Sequence, residues 1–272
     1  MPKKRSSKAA ARKHGNRICN LVPSRGTGTD WQLSHALSAG ALGGPVALPA
    51  MVDLRAPWWG VGNQLTTGSC VGWATADGVM RYLLVTGNKL PKTGRPSPRF
   101  VWMASKETDQ NTARPETFVE IAGTSLKAAM DIVRKFGVVD DTMVPFQIST
   151  LMYTGDENTL YAAASMLKIA NYFNLGLDLQ KWKIWLADKG PILAGLNVDA
   201  TWDNAAATGG KLDVFQPATV RGGHAVCIVG YKGNRFIIRN SWGTGWGNNG
   251  FGYATPAYLN AAFFPESYGA TL

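Results

Sequence analysis

The sequence predicts an α+β fold in which helices come first and a β-sheet follows. Three observations carry this reading. Apolar residues recur every three or four positions in the first half; after Gly190-Pro191 the pattern changes to continuous β-rich runs; and 45% apolar against 17% charged residues supplies a sizeable core. The 272 residues suit one large domain or two small ones. No apolar run reaches the ~18 residues that span a bilayer. The nearest candidate, residues 36–52, is interrupted by Gly43, Gly44, Pro45 and Pro49.

Residues 1 to about 50 read as a polar, then Gly/Ala/Pro-rich lead-in with weak periodicity, and ordered structure is expected to begin near Val52-Asp53-Leu54-Arg55. Behind Ser69, the positions Val71, Trp73, Ala74, Val79, Tyr82 and Leu83 outline an amphipathic helix of four to five turns that stops at Gly87. Gly72 and Gly78 inside it each cost roughly 1 kcal/mol relative to Ala, so close packing is their expected reason. A second helix fits Ser97 to Glu107, a third Ser125 to Phe136, and a fourth Leu179 to Ala187. Residues 191–198, 223–231 and 235–240 read as strands, the last two joined by Lys232-Gly233-Asn234 as a hairpin. There is no internal repeat.

Charge is unevenly placed. Residues 1–30 hold eight basic side chains against Asp30, which is +7 of the formal +10. Such an arm can touch nucleic acid, an anionic membrane or an acidic partner, but it reads more simply as a solvated or processed leader. The order of a Sec-type signal is missing, because Gly15, Asn16 and Arg17 follow the basic stretch where an apolar run belongs. Pro2-Lys3-Lys4-Arg5 has the composition of a nuclear-import signal, a pattern common by chance. Three cysteines (Cys19, Cys70, Cys227) leave at least one thiol free, and the expected compartment is the cytoplasm. Nuclear entry, or export without a standard signal peptide, stays open.

The chemistry rests on few residues. His14 and His35 fall in the lead-in, whereas His224 opens a strand behind Gly222-Gly223. Cys70 stands at a helix start, where backbone N–H groups and the helix dipole favour the thiolate. Taken alone, each reads as a structural residue, and Cys227, between Val226 and Ile228, remains one. Together with an orienting group and an oxyanion donor they form a nucleophilic set. Gln64, six residues before Cys70, can supply an amide donor beside the Cys70 N–H. Asn240, sixteen residues after His224, can accept from its ring.

These blocks resemble the papain family of cysteine peptidases. The likeness spans about residues 52–262 and lies in 52–55 running to Gln64 and Gly68-Ser69-Cys70, in Gly222-Gly223-His224-Ala225-Val226, and in residues 240–247 (NSWGTGWG). Ser97-Pro98-Arg99-Phe100 and Ala122-Gly123-Thr124-Ser125 are similar to further family segments. His224 and Asn240 follow Cys70 by 154 and 170 residues, against roughly 130–150 in the family. Residues 106–120 are a suitable place for the excess.

The resemblance implies a helical left domain and a β-barrel-like right domain with the cleft between them. The chain then divides into an arm (1–51) and a peptidase domain (52–272), its helical half about 64–150 and its β-rich half about 160–262. Cys70 would be the nucleophile, His224 the general base and acid, and Asn240 its orienter. Gln64 with the Cys70 N–H would form the oxyanion hole. Gly123, Gly68, Ser69 and Trp242 would serve substrate binding, with Trp242 covering the His–Asn bond and Gly123 lying along the cleft. The implied activity is peptide hydrolysis through a thiolate–imidazolium pair and an acyl-enzyme. Isopeptidase or acyltransferase chemistry on the same triad, or a silent binding protein, are the alternatives. No metal or cofactor is implied, since there is no HExxH or paired CxxC, and the Gly243–Gly247 run lacks the lysine of a phosphate loop. The expected partners are a polypeptide substrate and the chain's own N-terminal segment, which could enter the cleft. Nucleic acid is not expected, and the protein should be a monomer. Two departures stand out: Thr67 and Val71 occupy places where the family usually has Cys and Trp.

Overall fold

The computed structural model of the protein describes residues 17–43, 47–108, 123–147 and 155–272, without the side chains of 107 and 108. Helix α1 (Leu33–Ser38) precedes strand β1 (Met51–Asp53), and a continuous helix α2 follows over residues 70–86. Then come α3 (Pro98–Thr108), α4 (Leu126–Lys135), α5 (Glu157–Ser165), β2 (Asn171–Asn174), α6 (Leu179–Asp188), β3 (Ile192–Val198) and β4 (Lys211–Leu212). Strands β5 (Gly222–Lys232), β6 (Arg235–Arg239) and β7 (Phe251–Ala254), helix α7 (Pro256–Ala262) and strand β8 (Phe263–Thr271) complete it. No helix among the described residues is long and apolar enough to cross a membrane.

Helix α2 realises the periodicity behind Ser69 and ends at Gly87, as expected. Its middle, Trp73–Met80, is wound as a π-helix. The two interior glycines are packing sites. A β-carbon on Gly72 would stand 2.2 Å from the Pro98 carbonyl oxygen, and one on Gly78 would stand 3.1 Å from the Cys227 β-carbon. At Gly72 the helix thus lies directly against the start of α3, and at Gly78 against the Cys227 side chain of β5. The other expected helices start on polar caps: Ser125 accepts from the Ala128 N–H, and Asp178 from those of Gln180 and Lys181.

The sheet runs β2-β8-β3-β5-β6-β7-β4, with β1 on the free part of β5. All pairings are antiparallel except β4–β7. Strand β5 is central and buried on both faces, which is why its sequence is a continuous apolar run. Side chains alternate between its faces. Ala225, Cys227 and Val229 face the core shared with α2, α3 and α4, while Val226 and Ile228 face a second core containing Trp182, Trp185 and Trp202.

Ordered structure begins before the expected Val52. Leu33, Ala36 and Leu42 are buried in the second core, so residues 33–42 are part of its wall. The six-residue α1 is too short to announce itself by periodicity, and His35, assigned from sequence to an irregular lead-in, lies inside it. The His35 Nδ1 accepts from the Gln32 N–H at 2.9 Å and caps the helix. His14 and residues 109–120 of the expected insertion lie outside the described residues.

One buried ion pair ties helix to sheet. Asp77 of α2 and Arg239 of β6, 1% and 2% exposed, meet at 2.6 Å. Arg239 also donates to the Gly60 carbonyl at 2.6 Å and lies over the Trp59 ring, while Arg81 takes the other Asp77 oxygen at 3.0 Å. Removing one partner of such a pair strands the other charge in the interior. Asp77→Ala is therefore expected to lower stability by about 3–5 kcal/mol, read from the denaturant midpoint of the full chain.

Candidate active site

The site is assembled where the start of α2 meets β5 and the end of β6. Cys70 is fully buried. Backbone N–H groups of Ala225, Val71, Cys70 itself and Asn20 turn toward its sulfur and favour the anion. Ala225 directly follows His224 on β5, so the strand brings the imidazole to the neighbourhood of the Cys70 thiol. The His224 Nε2 and the Asn240 Oδ1 are 2.8 Å apart, and the Ser241 N–H donates to the same Oδ1 at 2.7 Å. An oxygen already accepting from a backbone N–H is an acceptor toward the ring as well. His224 thus carries its proton on Nε2, leaving Nδ1 as the free base. That Nδ1 is buried and has no hydrogen-bond partner among the described residues.

Gln64 is pinned between two elements. Its Oε1 accepts from the Ser241 hydroxyl at 2.8 Å, and its Nε2 donates to the Thr67 carbonyl at 3.0 Å. Ser69 is buried, with its hydroxyl 2.6 Å from that of Thr67, and Gly68 is buried beside it. Trp242 is 1% exposed with its ring centroid 5.0 Å from that of His224, so it shields the His–Asn bond from water.

The ring next to it could not be found from sequence. Trp202 meets His224 edge-on at 5.6 Å and stacks on Trp246 at 5.1 Å. Its Nε1 donates to the Tyr258 hydroxyl at 2.9 Å, which donates to the fully buried Asp199 at 2.7 Å. Trp202 stands in a short 3₁₀ turn with no motif around it.

The cleft is occupied by the chain itself. The Arg17 guanidinium donates to the Asn63 Oδ1 at 2.8 Å and to the Trp242 carbonyl at 3.2 Å. The Gln64 Nε2 reaches the Ile18 carbonyl at 3.5 Å. The Asn20 carbonyl rests on Gly123, where a β-carbon would be 1.7 Å away. The Leu21 N–H donates to the Gly223 carbonyl at 3.0 Å and the Val22 N–H to the Thr124 carbonyl at 3.1 Å. The Leu21 side chain lies over Gly195 and Gly223 beside Phe264. Ser24 ends the segment, giving its N–H and hydroxyl to the buried Glu266 carboxylate.

A family profile described as "Papain family cysteine protease" matches residues 48–258, well over half the chain. The chain belongs to the papain family of cysteine proteases. It is 25% identical over 201 residues to an uncharacterized peptidase C1-like protein of Acanthamoeba polyphaga mimivirus, covering 70% of this chain and 62% of that protein. In fold it is similar to xylellain, a cysteine protease from Xylella fastidiosa, with a TM-score of 0.71 at 21% identity over 100% and 98% of the two chains. Digestive procathepsin L2 proteinase from Tenebrio molitor larval midgut superposes with a TM-score of 0.70 at 20% identity, over 98% of this chain and 81% of that one.

Within this papain-family frame, the place of a half-cystine is taken by Thr67, whose hydroxyl donates to the Gln64 carbonyl at 2.7 Å. Hydrogen bonds do the local stapling, and all three cysteines are free thiols. Val71 is fully buried and lines no open surface.

Electrostatically the closed site differs from the expected ion pair. Burial pushes the Cys70 thiol up to about 11 against the pull of the backbone amides. Burial also lowers His224 to about 4; the Asn240 bond raises it, and the Arg17 and Arg221 charges add to the lowering. Thiol and imidazole are therefore both neutral here. The physical reason is their complete burial, which excludes the water that charged forms need, and the segment over them adds the Arg17 charge beside His224. Because the unfolded state binds a proton on His224 below about 6.5 and the closed fold does not until about 4, stability rises with pH across that window. Thermal midpoints of the full chain should fall as pH drops from about 6.5 toward 4. His224→Gln should flatten this part of the profile.

Proposed function

We propose that the protein is a cysteine peptidase that hydrolyses peptide bonds through Cys70, His224 and Asn240, made as a zymogen whose N-terminal segment fills its own cleft. The observation that carries this reading is that a peptide already lies across the site. Its Ile18 carbonyl is held by the Gln64 amide, its Asn20 N–H turns to the nucleophile, and its backbone lies against Gly123, Thr124 and Gly223. A surface that binds backbone in this way is suited to extended polypeptide.

With the segment gone, water enters, and the thiol can pass its proton to the free Nδ1 of His224. The resulting imidazolium is held by the Asn240 oxygen on Nε2. The thiolate adds to the substrate carbonyl, and the oxyanion takes hydrogen bonds from the Gln64 Nε2 and the Cys70 N–H. His224 then protonates the departing amine, leaving a thioester. It next removes a proton from water, which attacks that thioester and releases a carboxylic acid and the thiol. Trp242 and Trp202 hold the ring in place and keep bulk water from its bond to Asn240. The name procathepsin belongs to the Tenebrio relative; the zymogen reading for this chain rests on residues 17–24.

After removal of the segment, Cys70→Ala is expected to abolish hydrolysis of a fluorogenic peptide. Gln64→Ala should lower kcat on the order of 10²-fold, the usual effect of losing one oxyanion donor. Full kcat in Gln64→Ala would overturn that assignment.

A further inference from the structure

The lead-in divides into two parts with opposite attachments. Residues 17–24 lie in the cleft. Residues from Asp30 onward are built into the domain: the Asp30 carboxylate accepts from Lys127, from the Asn174 amide at 3.2 Å and from the Tyr268 hydroxyl at 2.8 Å. The Asn174 N–H donates to the Trp31 carbonyl at 2.7 Å, and Leu33, Ala36 and Leu42 are buried in the core. Between the two parts lies a loop in which Arg25, Gly26, Gly28 and Thr29 are exposed. A β-carbon on Gly28 would touch nothing, and one on Gly26 would meet only the tip of Lys127 at 3.9 Å. Gly26 is left-handed, with φ of 65°, and a single 3₁₀ turn (Thr27–Thr29) follows.

We infer that the cleft is opened by hydrolysis of one peptide bond within residues 25–29, and that the mature N-terminus lies in this loop instead of near Val52. Water adds across the bond, leaving a carboxylate on the released piece and an ammonium on the retained chain. The inference rests on the zymogen reading above.

The reason is where the plug is anchored. A cut near residue 50 would leave residues 17–43 held by Asp30, Leu33, Ala36 and Leu42, and the cleft would stay filled. A cut at 25–29 separates the plug from that anchor. While tethered, the plug faces the cleft at an effective concentration on the order of mM. Once cut, its hydrogen bonds through Arg17, Leu21, Val22 and Ser24 must hold at bulk concentration. The loop cannot enter its own site, because Asn20 covers the sulfur. A second molecule or another peptidase makes the cut, and exposed Arg25 before Gly26 fits an enzyme of trypsin specificity.

The test is limited trypsin digestion of full-length Cys70→Ala, which cannot cut itself, with the stable product weighed by mass spectrometry. The expected product is 26–272, melting as cooperatively as the intact chain. The wild-type chain, cut in the same way, should then label at Cys70 with iodoacetamide at pH 7 at least a hundredfold faster. Relief of burial alone, returning the thiol from about 11 to its ordinary 9.0, gives that factor, and proton transfer to His224 adds to it. Wild-type protein seeded with a trace of the cut enzyme should likewise accumulate a product starting between residues 26 and 29.

A stable, fully folded product that begins near 52, absence of any cut in 25–29, or Cys70 still slow to label after the cut would each overturn the inference. Should Cys70 label quickly while no peptide is hydrolysed, the peptidase reading fails and the opening cut stands. An uncut chain that hydrolyses peptides at the rate of the cut one has the opposite meaning.

Discussion

The close docking of the start of α2 onto β5 is the constraint on which the site depends. Cys70 and His224 come from different layers, a helix and a strand, and Gly72 and Gly78 let that helix lie against α3 and β5 without side chains between them. The buried Asp77–Arg239 pair fixes the same junction one residue away from Asn240. Such a pair contributes little net stability once desolvation is counted, but its geometry tolerates no sliding of helix over sheet. Positional precision at Cys70 and His224 follows from a contact that contains neither.

The thiol and the imidazole share one buried environment. Residues 17–24 lie over the Cys70 sulfur and against the backbone of Gly123, Thr124 and Gly223. Burial acts on both partners in the direction of neutrality, raising the thiol and lowering the imidazole. The positive charge of Arg17, carried by the segment itself, adds to the effect on His224. Both groups are thus held toward their neutral forms by their surroundings, while the His224–Asn240 bond that orients the ring is already in place.

Much of this was legible in the residues. The 3–4 spacing behind Ser69, the stop at Gly87, the caps Ser125 and Asp178 and the Lys232-Gly233-Asn234 hairpin each specify local structure, and each element forms where expected. The same holds for α5 and α7 in hindsight, since Asp156 and Thr255-Pro256 are ordinary start signals. Strands β2, β7 and β8 were less accessible. Asn171–Asn174 and Phe251–Ala254 are too short for a period of two to stand out, and β8 carries Pro265, Glu266 and Gly269, which depress any strand reading.

Local sequence determined the helical first half, the strands around His224 and the residue types Gln64, Cys70, His224 and Asn240 through their spacing, because helix periodicity, caps and turn chemistry act over a few neighbouring residues. Tertiary structure alone decided that Trp202 would stand beside His224, that Leu33, Ala36 and Leu42 would join the core, and that residues 17–24 would lie over the sulfur. Each of these is a contact between positions far apart in the chain. Its energy comes from burial and from hydrogen bonds to groups that no nearby residue reveals.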